Sequence, residues 1–424
     1  VLEVLFNLSD VAIAGKYAYN TYIALGAVGS TTTLVSLFTG LLIGLGAGVN
    51  VAVARGLGMG SDEDVERTTH SSAIICFAVG VLTCLLCVFF AEPMLQMLNT
   101  KEEFLPGAVL YLKLFAIGLP GMGLYNCGNG ILSATGDTKR PLIYLAVAGV
   151  LNVILNLVFV IGCNMSAEGV AIASAIAQWV SALLILAHLL RRKDACRLEV
   201  RKLRLHRMAS KRVLMIGIPS GLQNAIFAVA NLFVQAGLNS FDEITVSGAA
   251  AAANADTLVF NILAAFYTAC ASFVSRNWGA GNKERITKTY LISMFYAFAV
   301  GSICGGLLLV FGRQFLGLFA DKPEVIDAGM DRLRIMAFSY GFGSLMDASI
   351  AASRGIGKSI IPTFMVIMGS CVFRVIWIYT VFAYFHTVPS LYLLYIFSWV
   401  ITGIAECIYF RYAYKKFVLK AQVW

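Results

Sequence analysis

Long segments without a charged side chain recur along the chain, and they restrict its fold more than any other feature. The stretch 68–91, for example, contains no Asp, Glu, Lys or Arg. Over the whole chain 13% of residues are charged and 59% are hydrophobic, whereas a soluble domain carries roughly 25% charged residues. Because a spanning helix needs about 20 apolar residues and β-barrel alternation is missing, the sequence predicts an all-α membrane protein with about twelve transmembrane helices.

Gly, Pro and charged residues separate the apolar segments and set the expected helix limits. The predicted helices are 1–14, 22–54, 65–91, 102–134, 140–162, 168–191, 211–238, 244–276, 285–313, 325–353, 360–385 and 390–416. The chain starts late in the first of these, so we expect that helix to be truncated.

The net charge of +9 is concentrated in a few loops. The segment 191–212 alone holds ten Lys and Arg against two acids. By the positive-inside rule this segment and the basic C-terminus are cytoplasmic, and the protein lies in the inner (plasma) membrane of the cell. Two other interpretations of the segment, a nucleic-acid-binding arm and a patch for anionic lipids, are less favoured, and we expect no nucleic-acid partner.

The two halves of the sequence repeat each other at a constant offset of 221 residues. The segment "VAVARGLGMG" (51–60) aligns with "SFVSRNWGAG" (272–281), and "SATGDTKRP" (133–141) aligns with "RGIGKSIIP" (354–362). This register predicts two homologous six-helix lobes in the same orientation, as in transporters with parallel repeats. The predicted N-terminal lobe is 1–190, the basic linker is 191–212 and the C-terminal lobe is 213–424.

Polar residues at helical spacing form three stripes in the first half. They comprise Glu3, Asn7 and Asp10, then Asn126, Asn129 and Ser133, and finally Asn152 and Asn156. Under the offset, most counterparts in the second half are apolar, for example Phe373 for Asn152 and Trp377 for Asn156. This asymmetry favours a function of the first half over hydrogen bonding needed for folding. A carboxylate among amide and hydroxyl oxygens is suited to binding Na⁺ or a proton, and either event cancels its charge.

The second half carries its own intramembrane charges. They are Asp256, Asp347, Arg354, Arg374 and Glu406. We expect Asp256 and Asp347 either to line a substrate pathway or to form structural ion pairs, and the spacing of Asp347 and Arg354 suggests an ion network. Glu3, Asn7 and Asn126 are further candidates for a substrate cavity.

Glycine recurs at every fourth position in "GLLIGLGAG" (40–48), at Gly40, Gly44 and Gly48. The segment could be mistaken for a phosphate-binding loop, but it follows no strand. Small residues at this spacing are typical of close helix packing in membranes, and we predict that role. The ten cysteines and four histidines are dispersed, so we expect no disulfide and no metal site other than possible binding of Na⁺ at the polar stripes of the first half.

Several segments together resemble the multidrug and toxic compound extrusion (MATE) family. They include "LFNLSDVAIAGKY", "ARGLGMGSDEDVERT", "GNGILSATGDTKRPL", "LNVILNLVF", "EGVAIASAIAQ", "IGIPSGLQN" and "SRNWGAGNKERI". The resemblance implies twelve helices in two six-helix lobes that form an outward-opening V. It also implies antiport of organic cations or other amphipathic compounds against Na⁺ or H⁺.

The resemblance further implies a cation site in the first lobe, formed by Asp10, Asn129, Asn152 and Ser174. Many relatives have a second acid where this chain has Asn156, and Glu3 is a candidate for restoring that charge. The seventh-helix acid of one branch of the family would fall near Phe227, so that branch's second site is absent from this sequence.

We therefore expect a secondary-active exporter rather than an enzyme, with no cofactor other than the coupling ion. Its partners are a small-molecule substrate and the lipid bilayer, and we expect a monomer. A lipid-linked precursor flippase of the same superfamily is the alternative, which would need a strongly basic cavity. A membrane transferase would need clustered His or paired acids. A receptor or channel is compatible with the composition, although the repeat argues for alternating access.

Overall fold

The computed structural model describes residue 13 and residues 21–320 and 322–419, and every regular element in that part of the chain is a helix. The prediction of an all-helical protein is therefore confirmed. The helices are α1 (Thr21–Met59), α2 (Asp62–Met97), α3 (Leu105–Ala116), α4 (Leu119–Ala134), α5 (Lys139–Leu157), α6 (Ala167–Arg191), α7 (Arg207–Leu238), α8 (Glu243–Gly279), α9 (Lys283–Leu316), α10 (Pro323–Gly355), α11 (Ile360–Phe385) and α12 (Val388–Ala413).

Three of these helices contain or end in π-helical turns, which the sequence pattern did not predict. Such turns follow α5 (Val158–Gly162) and α12 (Tyr414–Leu419). Two more interrupt α11, at Ile367–Val372 and Ile378–Phe382.

Nine of the described helices are long and apolar enough to cross a membrane, and the bent pair α3–α4 makes ten. The helix that does not qualify on composition is α10, which carries Asp327, Asp331, Arg332 and Arg334 in its first half. Its 33 residues nevertheless extend for about 50 Å, which is ample for a bilayer. The chain is therefore a multi-pass membrane protein.

The predicted single helix 102–134 is wrong, because α3 and α4 meet at a bend of 44°. Proline at position 120 lacks an N–H and its ring would clash with the carbonyl of Ala116, where α3 ends. A β-carbon at Gly118, between the two helices, would lie 2.9 Å from the Cα atom of Ala175 on α6. The bend thus brings the chain close to α6 at a position that only glycine permits.

Packing divides the chain into two compact units, and the boundary lies inside α7, between Ala225 and Ile226. The first unit contains α1–α6 and the first part of α7. In it, α4 packs against α1, α2 and α6. The second unit contains the rest of α7 and α8–α12, and α10 packs against α8, α9 and α12. Under the 221-residue offset, α4 corresponds in sequence to the second half of α10, so equivalent helices are central in both units.

The repeat is also visible in the backbone of the loops. Among the described glycines, four have positive φ: Gly60, Gly136, Gly281 and Gly357, at 64°, 88°, 72° and 79°. The offset pairs Gly60 with Gly281 and Gly136 with Gly357. Each follows the end of a helix, where a left-handed residue closes the last turn and glycine adopts it without a steric penalty.

The glycine-rich face of α1 packs against the first part of α7, as the spacing predicts. A side chain at Gly44 would overlap the backbone of Gly221, and one at Gly48 would lie 2.6 Å from the carbonyl oxygen of Val213. The amide of Asn224 donates to the carbonyl oxygen of Gly40 at 3.1 Å. Because the segment lies within a continuous helix, it is not a phosphate-binding loop.

The basic linker between α6 and α7 is folded against the start of α2. The backbone N–H of Glu199 donates to His70 Nε2 at 3.0 Å, and the backbone N–H of His206 donates to Ser71 Oγ at 2.9 Å. Lys202 pairs with Glu66 at 3.0 Å. The Arg192 guanidinium also lowers the pKa of the Asp194 carboxyl. The linker is thus a docked segment with part of its charge neutralised.

Candidate functional site

Three of the predicted polar residues form one buried network between α5 and α6. Asn152 Nδ2 donates to Ser174 Oγ at 3.2 Å, and Asn156 Nδ2 donates to Asn152 Oδ1 at 3.3 Å. The three side chains are 4%, 7% and 0% exposed for Asn152, Ser174 and Asn156. Their position follows from local sequence, because Asn152 and Asn156 are one turn apart on α5 and the alanine-rich start of α6 permits close approach.

A cavity of about 130 Å³ adjoins this network inside the first unit. Its lining comes from α1 and α3–α6 and includes Asn152 and Ser174. Its other polar lining residues are Thr39, Tyr125, Gln178 and Ser181. The volume is sufficient for several water molecules or a hydrated ion.

Two oxygens of the lining residues have no hydrogen-bond partner among the described residues, although both atoms are buried. They are Thr39 Oγ1 and Gln178 Oε1. By contrast, the Tyr125 hydroxyl donates to the carbonyl of Pro141 at 3.0 Å, and Ser181 Oγ donates to the carbonyl of Gln178 at 2.8 Å. An unpaired buried acceptor is costly, and a bound cation or ordered water would satisfy it.

Sequence reasoning missed Thr39 and Gln178. A signal for Gln178 was present, because it follows Ser174 by one helical turn and therefore shares its face. Thr39 gave no such signal, since it is one of several Ser and Thr residues of α1, and its role depends on packing between distant helices.

The second polar stripe, on α4, does not join this network. Ser133 Oγ donates to Asn129 Oδ1 at 3.3 Å, and Asn126 Nδ2 donates to the carbonyl of Met122 at 3.0 Å, so both asparagines bond within their own helix. Neither lines the cavity described above. The remaining candidates of the first lobe, Glu3, Asn7 and Asp10, lie outside the described residues.

In the second unit, Asp256 is held in a buried cluster. Its carboxylate pairs with Arg332 and accepts a hydrogen bond from the Tyr340 hydroxyl. The other guanidinium nitrogen of Arg332 donates to the carbonyl of Ala249 at 2.6 Å, and the guanidinium carbon lies 4.9 Å from the centre of the Tyr392 ring. Of the two roles open for Asp256, the geometry supports structural pairing.

The expected ion network of Asp347 and Arg354 is not formed. Asp347 is partly buried and makes no hydrogen bond or ion pair with a described residue. Arg354 instead donates to the hydroxyl of Tyr267 on α8 and lies near the fully buried Glu406 of α12. The spacing placed Asp347 and Arg354 near one face of α10, but partners on other helices determine the pairing.

Two repeated helical units, apolar spans and a buried oxygen-lined cavity within one unit define a multi-pass membrane transporter. The chain belongs to the MATE family, since the MatE family model matches residues 1–158 and 219–380. Members of this family are transporters and not enzymes, which confirms both the resemblance found in the sequence and the expected class.

Curated relatives and solved structures agree with this assignment. The chain is 24% identical over 342 residues to a protein of Shewanella oneidensis named FAD transporter, covering 79% of this chain and 75% of that protein. It is 26% identical over 325 residues to the probable multidrug resistance protein YpnP of Bacillus subtilis, covering 75% and 71%. A solved multidrug resistance MATE family transporter in the outward-facing conformation superposes with a TM-score of 0.90 at 21% identity, covering 99% of this chain and 93% of that one.

Proposed function

We propose that the protein is a secondary-active antiporter of the plasma membrane, which exports organic cations and other amphipathic compounds in exchange for Na⁺ or H⁺. Family membership supports the export of small molecules. Relatives named as multidrug resistance proteins support a broad range of amphipathic substrates, and the one named FAD transporter supports a range that extends beyond cations.

The observation that carries the proposal is the network of Asn152, Asn156 and Ser174 beside a cavity with unpaired oxygens. These groups supply amide and hydroxyl oxygens, which a hard cation prefers, and none of the described residues that line the cavity has a carboxylate to balance the charge of the cation. Asp10 of the predicted first helix would supply that charge. Binding of Na⁺ or H⁺ would cancel the charge of Asp10 and thereby shift the balance between two packing states of the helices.

The repeat supports placing the coupling site in the first unit. The counterparts of Asn152 and Asn156 are Phe373 and Trp377, whose ring centres lie 5.6 Å apart. The indole N–H of Trp377 donates to the carbonyl of Ser390 at 2.8 Å. These positions of the second unit are occupied by aromatic packing and offer no oxygens to a cation.

The same cavity argues against the flippase alternative. A site for a lipid-linked pyrophosphate would need several basic side chains, and none of the described residues that line the cavity is Lys or Arg.

Transport of a cationic dye in proteoliposomes under imposed Na⁺ or H⁺ gradients tests the proposal. We expect Asp10→Asn and Asn152→Leu to lose gradient-driven transport, by about tenfold or more, since the cation loses its charge partner or a ligand. Asn156→Asp adds an acid beside Asn152 and should strengthen the response to Na⁺. Asn126→Ala is the matched control, because the Asn126 amide donates within α4 and the residue does not line the cavity.

Full coupling in Asp10→Asn, with expression intact, would contradict a first-unit site. Asp347 would then be the next candidate, because Asp256 is already paired with Arg332.

A further inference from the structure

Arg374 is a buried cation without a carboxylate partner among the described residues. It lies in the middle of α11 and is 2% exposed. Its Nη1 donates to Asn231 Oδ1 at 2.9 Å, and Nε, which is buried, has no hydrogen-bond partner in the described part of the chain. Its guanidinium carbon lies 4.5 Å from the ring centre of Tyr395 and 5.2 Å from that of Phe227.

The other two buried arginines of this unit differ from Arg374 in having an acid nearby. Arg332 pairs with Asp256, and Arg354 lies close enough to Glu406 for their charges to interact. One neutral amide and two aromatic faces compensate a buried guanidinium less well than a carboxylate does. The unit therefore has a buried positive charge that an anion could neutralise.

The guanidinium is separated from the surface of this unit by the side chain to which it donates. Asn231, its hydrogen-bond partner, is an exposed residue of α7. Displacement of the Asn231 amide would open the Nη1 donor to an acid, and the planar guanidinium can bind a carboxylate or phosphate through two hydrogen bonds.

The surroundings favour an acid attached to a flat aromatic body. Tyr395 packs against Trp399 with ring centres 5.4 Å apart, and Phe260, which is 37% exposed, packs edge-on against the same indole at 5.7 Å. Aromatic faces near a guanidinium provide stacking area for a planar ligand. The offset also pairs Asn231 with Asp10, so corresponding positions hold an acid in the first unit and an arginine-bound amide in the second.

We propose that Arg374 and Asn231 bind the acidic group, a carboxylate or a phosphate, of amphipathic aromatic substrates. This inference rests on the proposed export of amphipathic compounds and specifies their chemistry: the transporter accepts zwitterions and anions as well as cations.

Equilibrium binding to the purified full-length chain in detergent, without an ion gradient, tests the inference separately from coupling. Two pairs of probes are used, and the two members of each pair have the same aromatic body and differ mainly in whether they carry an acid. Rhodamine 110 has a free carboxylate where rhodamine 123 has a methyl ester, and flavin mononucleotide has a phosphate that riboflavin lacks. We expect wild type to bind at least one acid about tenfold more tightly than its partner, as a charge-assisted hydrogen bond provides.

Arg374→Gln should remove this preference, because the acid loses its charged donor. Asn231→Asp should also remove the preference, because it places a competing carboxylate beside the guanidinium. This variant keeps Arg374 paired, so it tests the inference even if Arg374→Gln does not fold. Arg313→Gln is the matched control, since it removes a charge from an exposed ion pair with Asp327.

A preference for just one of the two acids, the carboxylate or the phosphate, also supports the inference and identifies which acid is bound. Equal affinity of wild type for both members of each pair would overturn it. So would a preference that survives in Arg374→Gln or in Asn231→Asp. Loss of ion coupling in Asp10→Asn does not affect these binding measurements, so the two proposals can fail independently.

Discussion

A buried carboxylate in the second unit is held by two side chains from a neighbouring helix. Asp256 of α8 contacts Arg332 and Tyr340 of α10, and the Asp256 and Arg332 side chains are about 9% and 10% exposed. In a medium of low polarity, removal of one partner leaves the other charge without compensation. The pair therefore makes the packing of α8 on α10 conditional on both charges being present.

This pairing gives a prediction about stability. Asp256→Asn should destabilise the protein by about 3–5 kcal/mol, because Arg332 stays buried without a counter-charge. The double variant Asp256→Asn, Arg332→Met should recover most of the loss, since it removes both charges. Thermal unfolding in detergent measures the effect, and Asp327→Asn, which breaks an exposed pair with Arg313, should cost no more than about 1 kcal/mol. Equal losses at the two sites would contradict the structural role of Asp256.

The sequence could identify intramembrane polar residues but not all of their partners. Asn152 and Asn156 are neighbours on one helix, so their spacing predicted that they would lie together. The partners of Asp256 and Arg354 are 76 and 87 residues away in sequence, and no periodicity relates them. Long-range pairing depends on helix rotation and tilt, which packing determines and local pattern does not.

The helices themselves were largely predictable, because each ends where glycine, proline or charge interrupts an apolar run. The predicted limits 168–191 and 360–385 agree with α6 and α11 to within a residue. The bend between α3 and α4 was not predicted, since both sides are apolar and proline occurs within other membrane helices, including α2 at Pro93. Its cause includes the approach of Gly118 to α6, a tertiary contact.

The contact between α1 and α7 leads to a prediction at the scale of helices. Gly44→Ala should destabilise the first unit by about 1–3 kcal/mol, because the new methyl group overlaps the backbone of Gly221 and no side-chain rotation can relieve it. Gly29→Ala in the same helix is the matched control. No atom lies within 4 Å of a methyl group there, so alanine should be neutral or add up to about 1 kcal/mol of helix stability. Equal melting temperatures for the two variants would show that α1 and α7 do not pack closely.

Orientation in the membrane is a property of the whole molecule, and the distribution of basic residues predicts it. Lys193 lies in the basic linker and Cys163 in the loop before α6, and both are exposed. The 25 residues of α6 separate them by about 37 Å, enough to cross a bilayer core of about 30 Å. The two positions must therefore lie on opposite sides of the membrane.

The positive-inside rule predicts that the linker is cytoplasmic and that Cys163 is external. In intact cells, a membrane-impermeant maleimide should label Cys163 and should not label a cysteine introduced as Lys193→Cys in a Cys163→Ser background. In inverted vesicles the labelling should reverse. Labelling of the linker cysteine in intact cells would show that the orientation is the opposite of the predicted one. The docked linker would then be external, and its high content of basic residues could not be explained by the positive-inside rule.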